Sequence, residues 1–270
     1  MRNIGKKKLT ARLHWLDYGP RRYDPATTFW TSPDPLSAAR PDISPYAYCA
    51  ANPAANTDPS GYRIVTNFNG IEYDLQLTDE SKYAFFDTAG HQYLQEGSIS
   101  SQYFDMLIDD LNTIGEGRFG SGLLNYLISR EDAVSIELTN NDKNGFVDYY
   151  NKVVYNPSLI PQSIRMIADQ EEQLGNYTFI SLGHELFHAT DKLMGSIDNH
   201  VIMSWPGGQT MTRAEYFAML GENFIRTEHG IPKRTHYAFS DDGNVIQGSE
   251  LKVTLFNISK IYSLLIFSNK

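Results

Sequence analysis

The residues best suited to chemistry lie in one short stretch, where two histidines and a glutamate follow the pattern His-Glu-x-x-His. His184 and His188 are four residues apart, so on a helix they stand on one face and can share a metal ion. Glu185 adjoins the first histidine, where a carboxylate can take the proton of an attacking water. The spacing predicts a Zn2+ site with Glu185 as the general base of a hydrolytic reaction.

The segment around this pattern has the periodicity of a helix with one buried face. Such a helix is predicted over about residues 179–194, with Asp191 and both histidines roughly opposite the apolar face. Thr178 is expected to cap its start, and Gly195 is expected to follow its last turn. The apolar positions at i, i+4, i+7 and i+11 are Leu182, Leu186, Ala189 and Leu193.

Two histidines need a third protein ligand to hold zinc, with a fourth position left for water. The HExxHxxGxxH arrangement is excluded, because Asp191 and Met194 stand where it requires glycine and histidine. A second helix, predicted over about residues 213–229, offers Glu215 and Glu222 instead. These two are seven residues apart, about 10 Å along a helix, so only one can be a ligand. Asp191, one turn beyond the second histidine, is a further candidate.

Glu215 is the favoured third ligand, although its position also suits a structural role. Thr212-x-x-Glu215 matches a capping box, in which the glutamate side chain bonds the amide of the capping residue. Whichever glutamate does not bind the metal is suited to hold the free ring N–H of a histidine.

Arg234 and Tyr237 form an Arg-x-x-Tyr pair downstream of both helices. A guanidinium and a phenol close to a tetrahedral intermediate can stabilise its oxyanion. Both are candidate catalytic residues, and the alternative for each is an ordinary surface or packing role.

Composition excludes several classes of function. The chain has 270 residues, a net charge of −9 and a pI of about 5.2. Apart from Lys6–Lys8 it has no basic stripe, so we expect no nucleic-acid partner. The single cysteine, Cys49, excludes an internal disulfide framework and a four-cysteine zinc site.

No targeting or membrane segment is evident. Residues 1–16 lack an apolar core, so we expect no signal peptide in this chain. The apolar run 251–267 is interrupted by polar residues and is too polar for a membrane span. Residues 235–270 are instead predicted to be rich in strands.

The first 61 residues contain eight of the twelve prolines, with short aromatic runs between turn signals. They predict short strands and tight turns without a core of their own. Residues 15–61 resemble the C-terminal end of the RHS/YD-repeat core, with YDPxxxFWxxxDPL and SPYxYxxxNP elements and a final DPSG. They depart from it at residues 27–29, where a Gly-Arg pair is usual, and at Ala51. The resemblance implies a boundary at Gly61, with a toxin-like domain after it and the cage of a longer parent chain before it.

The order of elements in the second part resembles the zinc metallopeptidase effectors that bacteria inject into host cells. It is more distantly similar to clostridial neurotoxin light chains. The matching residues, over about 120–240, are HELFHA at 184–189, ENFIR at 222–226 and GIPKRTHY at 230–237. The family's E-E-x-x-T-x-G is only partly kept at 214–221.

This resemblance implies a zincin-like fold and roles for particular residues. It gives His184, His188 and Glu215 as zinc ligands, and Glu185 as the general base. Arg234 and Tyr237 become the donors to the transition state.

These observations predict two domains: residues 1–61, the all-β end of an RHS core, and residues 62–270, a toxin domain. The second is expected to be α+β and zincin-like, with the HExxH helix packed on a β-sheet. A hairpin is predicted over 62–77 with Asn69-Gly70 as its turn. The other predicted elements are helices over 103–114 and 123–128, and strands over 133–138 and 152–155.

We therefore expect the C-terminal domain of a polymorphic toxin, secreted or delivered into a target cell. There it would act as a zinc-dependent endopeptidase on an intracellular protein. An immunity protein is an expected partner. The alternative is a non-catalytic or decayed RHS-associated binding or surface module.

Overall fold

The structure of the protein is a computed structural model. The chain divides into two compact units, Met1–Gly61 and Tyr62–Lys270. This division coincides with the predicted boundary, while the nature of each unit stays a prediction. The described residues are 16–17, 22–24, 26–27, 29–32, 44, 46, 64–95, 97–128, 133–159, 177–205, 208–240 and 244–251.

The described part of the first unit is a small antiparallel sheet. Its strands are β1 (Leu16–Asp17), β2 (Arg22–Asp24) and β3 (Phe29–Trp30), in that spatial order. The carboxylate of Asp24 accepts the amide N–H of Ala26 at 2.9 Å, an Asx turn that starts the β2–β3 connection. The RHS resemblance is not tested by these strands and stays a prediction.

The second unit is built on a six-stranded mixed sheet in the order β6-β5-β4-β7-β9-β8. Among the described strands of this sheet, the β4–β7 and β7–β9 pairs are parallel and the others are antiparallel. β4 and β5 form the predicted hairpin, in which Asn69 (φ 52°) and Gly70 (φ 79°) both take the positive φ of a tight two-residue turn. The strands are Ile64–Phe68 (β4), Ile71–Leu77 (β5), Tyr83–Asp87 (β6), Val134–Leu138 (β7), Gly145–Val147 (β8) and Lys152–Tyr155 (β9).

Four helices and a separate hairpin complete the described part of this unit. α3 contacts β8, β9, α1 and α2, and shares its largest contact with α4. The helices are Gln102–Glu116 (α1), Arg118–Ile128 (α2), Thr178–Leu193 (α3) and Arg213–Glu228 (α4); the hairpin strands are Val201–Trp205 (β10) and Gln209–Thr212 (β11). None of the described helices is long and apolar enough to cross a membrane.

Two glycines allow α3 and α4 to approach closely. A Cβ on Gly221 would lie 2.4 Å from the ring of Phe187, and one on Gly183 would lie 2.5 Å from Ile225 Cδ1. Both distances are far below van der Waals contact. A side chain at Gly221 would have to displace the Phe187 ring or separate the helices, whereas one at Gly183 would have to displace the terminal methyl of Ile225. The close approach matters because the candidate ligands are divided between these two helices.

The predicted α+β class, both central helices and the hairpin over 62–77 are confirmed. The expectation for Thr178 is wrong: it is the first residue of α3, and Tyr177 precedes it without a side-chain capping bond. The Thr178 hydroxyl donates instead to the buried carboxylate of Asp110, at 2.9 Å. Gly195 does follow α3 with a φ of 64°.

The strand-rich tail is only partly reproduced. The described part of residues 235–251 contains the antiparallel bridges His236–Glu250 and Phe239–Val245 in place of full strands. The rest of the tail lies outside the described residues. The sequence pattern did not predict β6, β8 or the β10–β11 hairpin, because these segments lack a sustained alternation of apolar and polar residues.

Candidate active site

Helices α3 and α4 bring two histidines and one glutamate together. His184 Nε2 lies 3.5 Å from Glu215 Oε2, and His188 Nε2 lies 3.4 Å from Glu215 Oε1. One potential ligand atom from each residue falls within 4.8 Å of the others. The one-turn spacing sets the two rings on α3, while the close packing of the helices sets Glu215 opposite them. These three residues form a candidate metal-binding triad.

Glu215 stands in the first turn of α4, three residues after the residue that caps the helix. The hydroxyl of Thr212 accepts the backbone N–H of Glu215 at 3.2 Å, which caps the helix. This bond uses only the backbone of Glu215, so its carboxylate is free to face the histidines. Thr212 therefore supplies its half of the predicted capping box, while the Glu215 side chain, which the box would turn to the Thr212 amide, lies against His184 and His188.

Glu222 occupies a different place, behind the first histidine. Its Oε2 lies 3.1 Å from His184 Nδ1, so it engages the nitrogen that faces away from Glu215. The side chain is only 3% exposed and pairs with Arg226, whose Nε donates to Oε1 at 2.8 Å. The Arg234 guanidinium approaches Oε2 at 3.4 Å. Glu222 thus fixes the orientation of His184 and leaves Nε2 directed at Glu215.

The site strongly favours positive charge. Burial opposes protonation of His184, but hydrogen bonds to Glu215 and Glu222 outweigh it and raise the pKa of His184 to about 10. Burial also opposes ionisation of Glu215 and Glu222, yet the same hydrogen bonds hold the pKa of each carboxyl well below its usual range. Such an environment stabilises a bound cation for the same electrostatic reason that it stabilises a proton.

Glu185 lies on α3 between the two histidines and is 9% exposed. Burial raises the pKa of its carboxyl, and the charges of His184 and His188 offset this only in part. A raised pKa suits a carboxylate that must accept and then return a proton.

Tyr237 lies near the triad, close enough to Glu215 for the charge of that carboxylate to act on its phenol. Burial raises the pKa of the phenol to about 12, and the negative charge of Glu215 adds to this. It is therefore a neutral O–H donor beside a candidate ligand. Its ring packs against Trp205 of β10, with centroids 5.5 Å apart.

Arg234 is held mainly by structural contacts. Its guanidinium donates to the carbonyl oxygens of His236 at 3.0 Å and Tyr237 at 2.6 Å, besides its contact with Glu222. Arg234 therefore links the segment that bears Tyr237 to Glu222, the residue that orients His184. Its predicted role as a direct donor to the transition state stays a prediction.

Asp191, the alternative ligand on α3, is not one of the three described residues whose potential ligand atoms come together. It is 1% exposed and accepts the hydroxyl of Ser196 at 2.7 Å, a bond just beyond the end of the helix.

Two neighbours of the site were not found from the sequence. Phe146 of β8 stacks on the imidazole of His188, with centroids 6.5 Å apart and ring planes at 5°. Trp205 supports Tyr237 from the β10–β11 hairpin. Both come from strands that periodicity did not reveal, and an isolated aromatic residue in a turn-rich segment gave no signal that could have identified either.

Two imidazoles and a carboxylate gathered on two packed helices are a donor set that metal-dependent enzymes use. Residues 91–237 match the Peptidase M91 family, described as effector protein. The match covers more than half of the chain, and the protein belongs to this family of peptidase-type effectors. No curated protein matches the chain, and no solved structure matches it.

Proposed function

We propose that the protein is a zinc-dependent endopeptidase of the HExxH type, with His184, His188 and Glu215 as the metal ligands. The observation that carries this proposal is the convergence of the three ligand atoms within 4.8 Å. Two imidazoles and one carboxylate are a common donor set of catalytic zinc sites. The excess of negative charge around them supports a divalent cation, and Glu222 supports the orientation of the first imidazole.

Bound zinc would supply Lewis acidity, which polarises the scissile carbonyl and makes water acidic. Glu185 takes the proton of the attacking water and later donates it to the leaving amine. Tyr237 is the proposed hydrogen-bond donor to the oxyanion of the tetrahedral intermediate. Arg234 fixes the backbone of Tyr237, and its own side chain is proposed as a second donor.

The biological setting is part of the proposal. The family description supports delivery into host cells and a protein target there. The resemblance of residues 15–61 to the end of an RHS core supports a polymorphic toxin, with an RHS cage and an immunity protein as partners. Residues 62–270 are then the zincin-like toxin domain.

The decisive variant is Glu185→Gln, which removes the proposed base and leaves the ligands. We expect it to keep one zinc per chain, measured by elemental mass spectrometry, and to lose cleavage of host-cell extract proteins by at least about a thousandfold. Cleavage is measured as new N-termini identified by peptide mass spectrometry. Glu80→Gln, at an exposed position, is the matched control and should behave like the parent.

Two outcomes would contradict the proposal. Cleavage by Glu185→Gln at the parental rate would exclude Glu185 as the base. Protein isolated without chelators that contains and takes up no zinc would exclude the metal and favour the non-catalytic alternative.

A further inference from the structure

Strand β8 runs along the helix that carries the candidate ligands. Three contacts join the two elements, and their order along β8 is the same as their order along α3. They extend from one turn before His184 to one turn after His188. They pair Asn144 Nδ2 with Ser181 Oγ at 2.8 Å, the ring of Phe146 with that of His188 at 6.5 Å, and Asp148 Oδ1 with Lys192 Nζ at 2.5 Å.

β8 is the last strand of its sheet within the described residues. Its partner on one side is β9, and no other described strand pairs with its opposite side. The backbone groups of an edge strand can pair with an extended peptide, which then continues the sheet. Here such a peptide would pass directly beside His188.

Two large aromatic side chains stand exposed where this edge strand ends. Tyr149 and Tyr150 are 87% and 67% exposed, and their rings form an edge-to-face pair with centroids 4.9 Å apart. They belong to a single helical turn closed by Asn151, which takes a left-handed φ of 47°. Asp148, the first residue of that turn, is tied to α3 by Lys192.

The chemistry of this turn favours an apolar ligand. Tyrosine offers a large contact area at a small cost in conformational entropy, because its side chain has only two rotatable torsions. Lys152, whose Nζ lies 5.9 Å from the ring of Tyr150, is paired with Glu137 at 2.6 Å. The charge next to the rings is thus already compensated.

We propose that Tyr149 and Tyr150 form a side-chain subsite for a substrate strand that pairs with the edge of β8. Tyr149 follows Phe146 by three residues and lies in the helical turn that comes directly after β8. The preferred substrate is therefore an extended segment with an aromatic or long aliphatic side chain at one fixed position, on the side of the cleaved bond that reaches this turn. This proposal rests on the proposed peptidase site and names its substrate class.

The test uses a library of random decapeptides with the full chain. The double variant Tyr149→Ala/Tyr150→Ala is compared with the parent and with Leu94→Ala/Ile99→Ala, which removes exposed apolar side chains from the loop before α1. The parent should select an aromatic or long aliphatic residue at one fixed position relative to the cleaved bond. The tyrosine variant should lose this selection, with kcat/KM for the best peptide about tenfold lower, and should cleave peptides with alanine there like the parent.

A binding experiment separates this proposal from the proposed function. In a Glu185→Gln background the best peptide should bind and slow amide hydrogen exchange over residues 145–150, and the two tyrosine substitutions should weaken binding about tenfold. Cleavage without positional preference, or with a preference that the tyrosine variant keeps, would overturn the subsite alone. Binding with this preference but without cleavage by the parent would overturn the peptidase reaction alone, and a library neither bound nor cut would overturn both.

Discussion

At the scale of single residues, the two glutamates of α4 are distinguished by the nitrogen atom of His184 that each one faces. Glu215 is near Nε2, on the side shared with His188, and Glu222 is near Nδ1. The seven-residue spacing required that only one of them face the triad. It did not say which, because residues seven apart lie on nearly the same face of a helix, and the position of α4 along α3 decides which one meets both histidines.

Glu222→Gln should weaken zinc binding without abolishing it. The amide oxygen can still accept from His184, but the charge that balances buried Arg226 and nearby Arg234 is lost. Loss of an outer partner of a ligand typically costs ten- to a hundredfold in metal affinity, and an unpaired buried charge costs about 3–5 kcal/mol of stability. Competition with a chromophoric chelator measures the first effect, and urea unfolding of the metal-free protein measures the second.

Glu215→Gln is the matched comparison, because it makes the same carboxylate-to-amide change at the proposed metal ligand. We expect a larger loss of zinc affinity from it than from Glu222→Gln, with a smaller loss of stability. If folded Glu222→Gln loses zinc more completely than Glu215→Gln, the two assignments must be exchanged.

At the scale of elements, the start of α3 is held by a buried acid from another helix. Asp110 of α1, only 2% exposed, accepts hydrogen bonds from the hydroxyls of Thr178 and Tyr155. This cluster joins α1, β9 and α3, and so places the helix that carries His184. Burial raises the pKa of Asp110 to about 7, although these hydrogen bonds lower it in part.

The raised pKa of Asp110 predicts a pH dependence of stability. The folded protein keeps this proton up to about pH 7, whereas the unfolded chain releases it near pH 4. Stability is therefore greatest below about pH 4 for this group and falls as the pH rises to about 7, by on the order of 4 kcal/mol. Asp110→Asn, which cannot ionise, should lose less stability between pH 5 and pH 8 than the parent.

Thermal unfolding of both proteins at each pH measures this difference. A chelator is present because metal binding is itself pH-dependent and would add to the measured stability. Asp79→Asn, at an exposed position, is the control and should follow the parent. Parallel profiles for Asp110→Asn and the parent would show that Asp110 is ionised in the folded state throughout this range.

At the scale of the whole molecule, the residues that match the Peptidase M91 family, 91–237, are fewer than those of the compact unit Tyr62–Lys270 that contains them. The match begins at residue 91, after β4, β5 and β6. Yet β4 lies between β5 and β7 inside the sheet, and Ile64 and Phe85 are fully buried in the core. The strands before residue 91 are therefore part of the structure that supports α3, although every candidate site residue lies after them.

This arrangement predicts different behaviour for two truncated chains. A fragment of residues 62–270 should unfold cooperatively and bind zinc like the full chain, because it keeps the whole second unit. A fragment of residues 91–270 should fail to fold, since it exposes one side of β7 and removes part of the core. Circular dichroism and zinc titration compare them, and a folded, zinc-binding 91–270 fragment would contradict the structural role given to β4.

The sequence by itself determined the local features of this protein. The i, i+4 spacing of His184 and His188, the capped α4 and the Asn69-Gly70 turn all depend on residues close in the chain, so periodicity and turn chemistry reveal them. The α+β class could be predicted for the same reason, and the boundary at Gly61 was implied by the RHS resemblance. The need for a third ligand made Glu215 and Glu222 candidates, and the effector resemblance implied Glu215.

Only the tertiary structure decided which side chains from distant segments meet. The packing of α4 along α3, with Gly183 and Gly221 at close contacts between them, brings Glu215 to both histidines and Glu222 behind His184. The position of β8 beside His188 likewise follows from sheet order, not from its own three residues. These are properties of packing between elements, to which a local pattern of residues is insensitive.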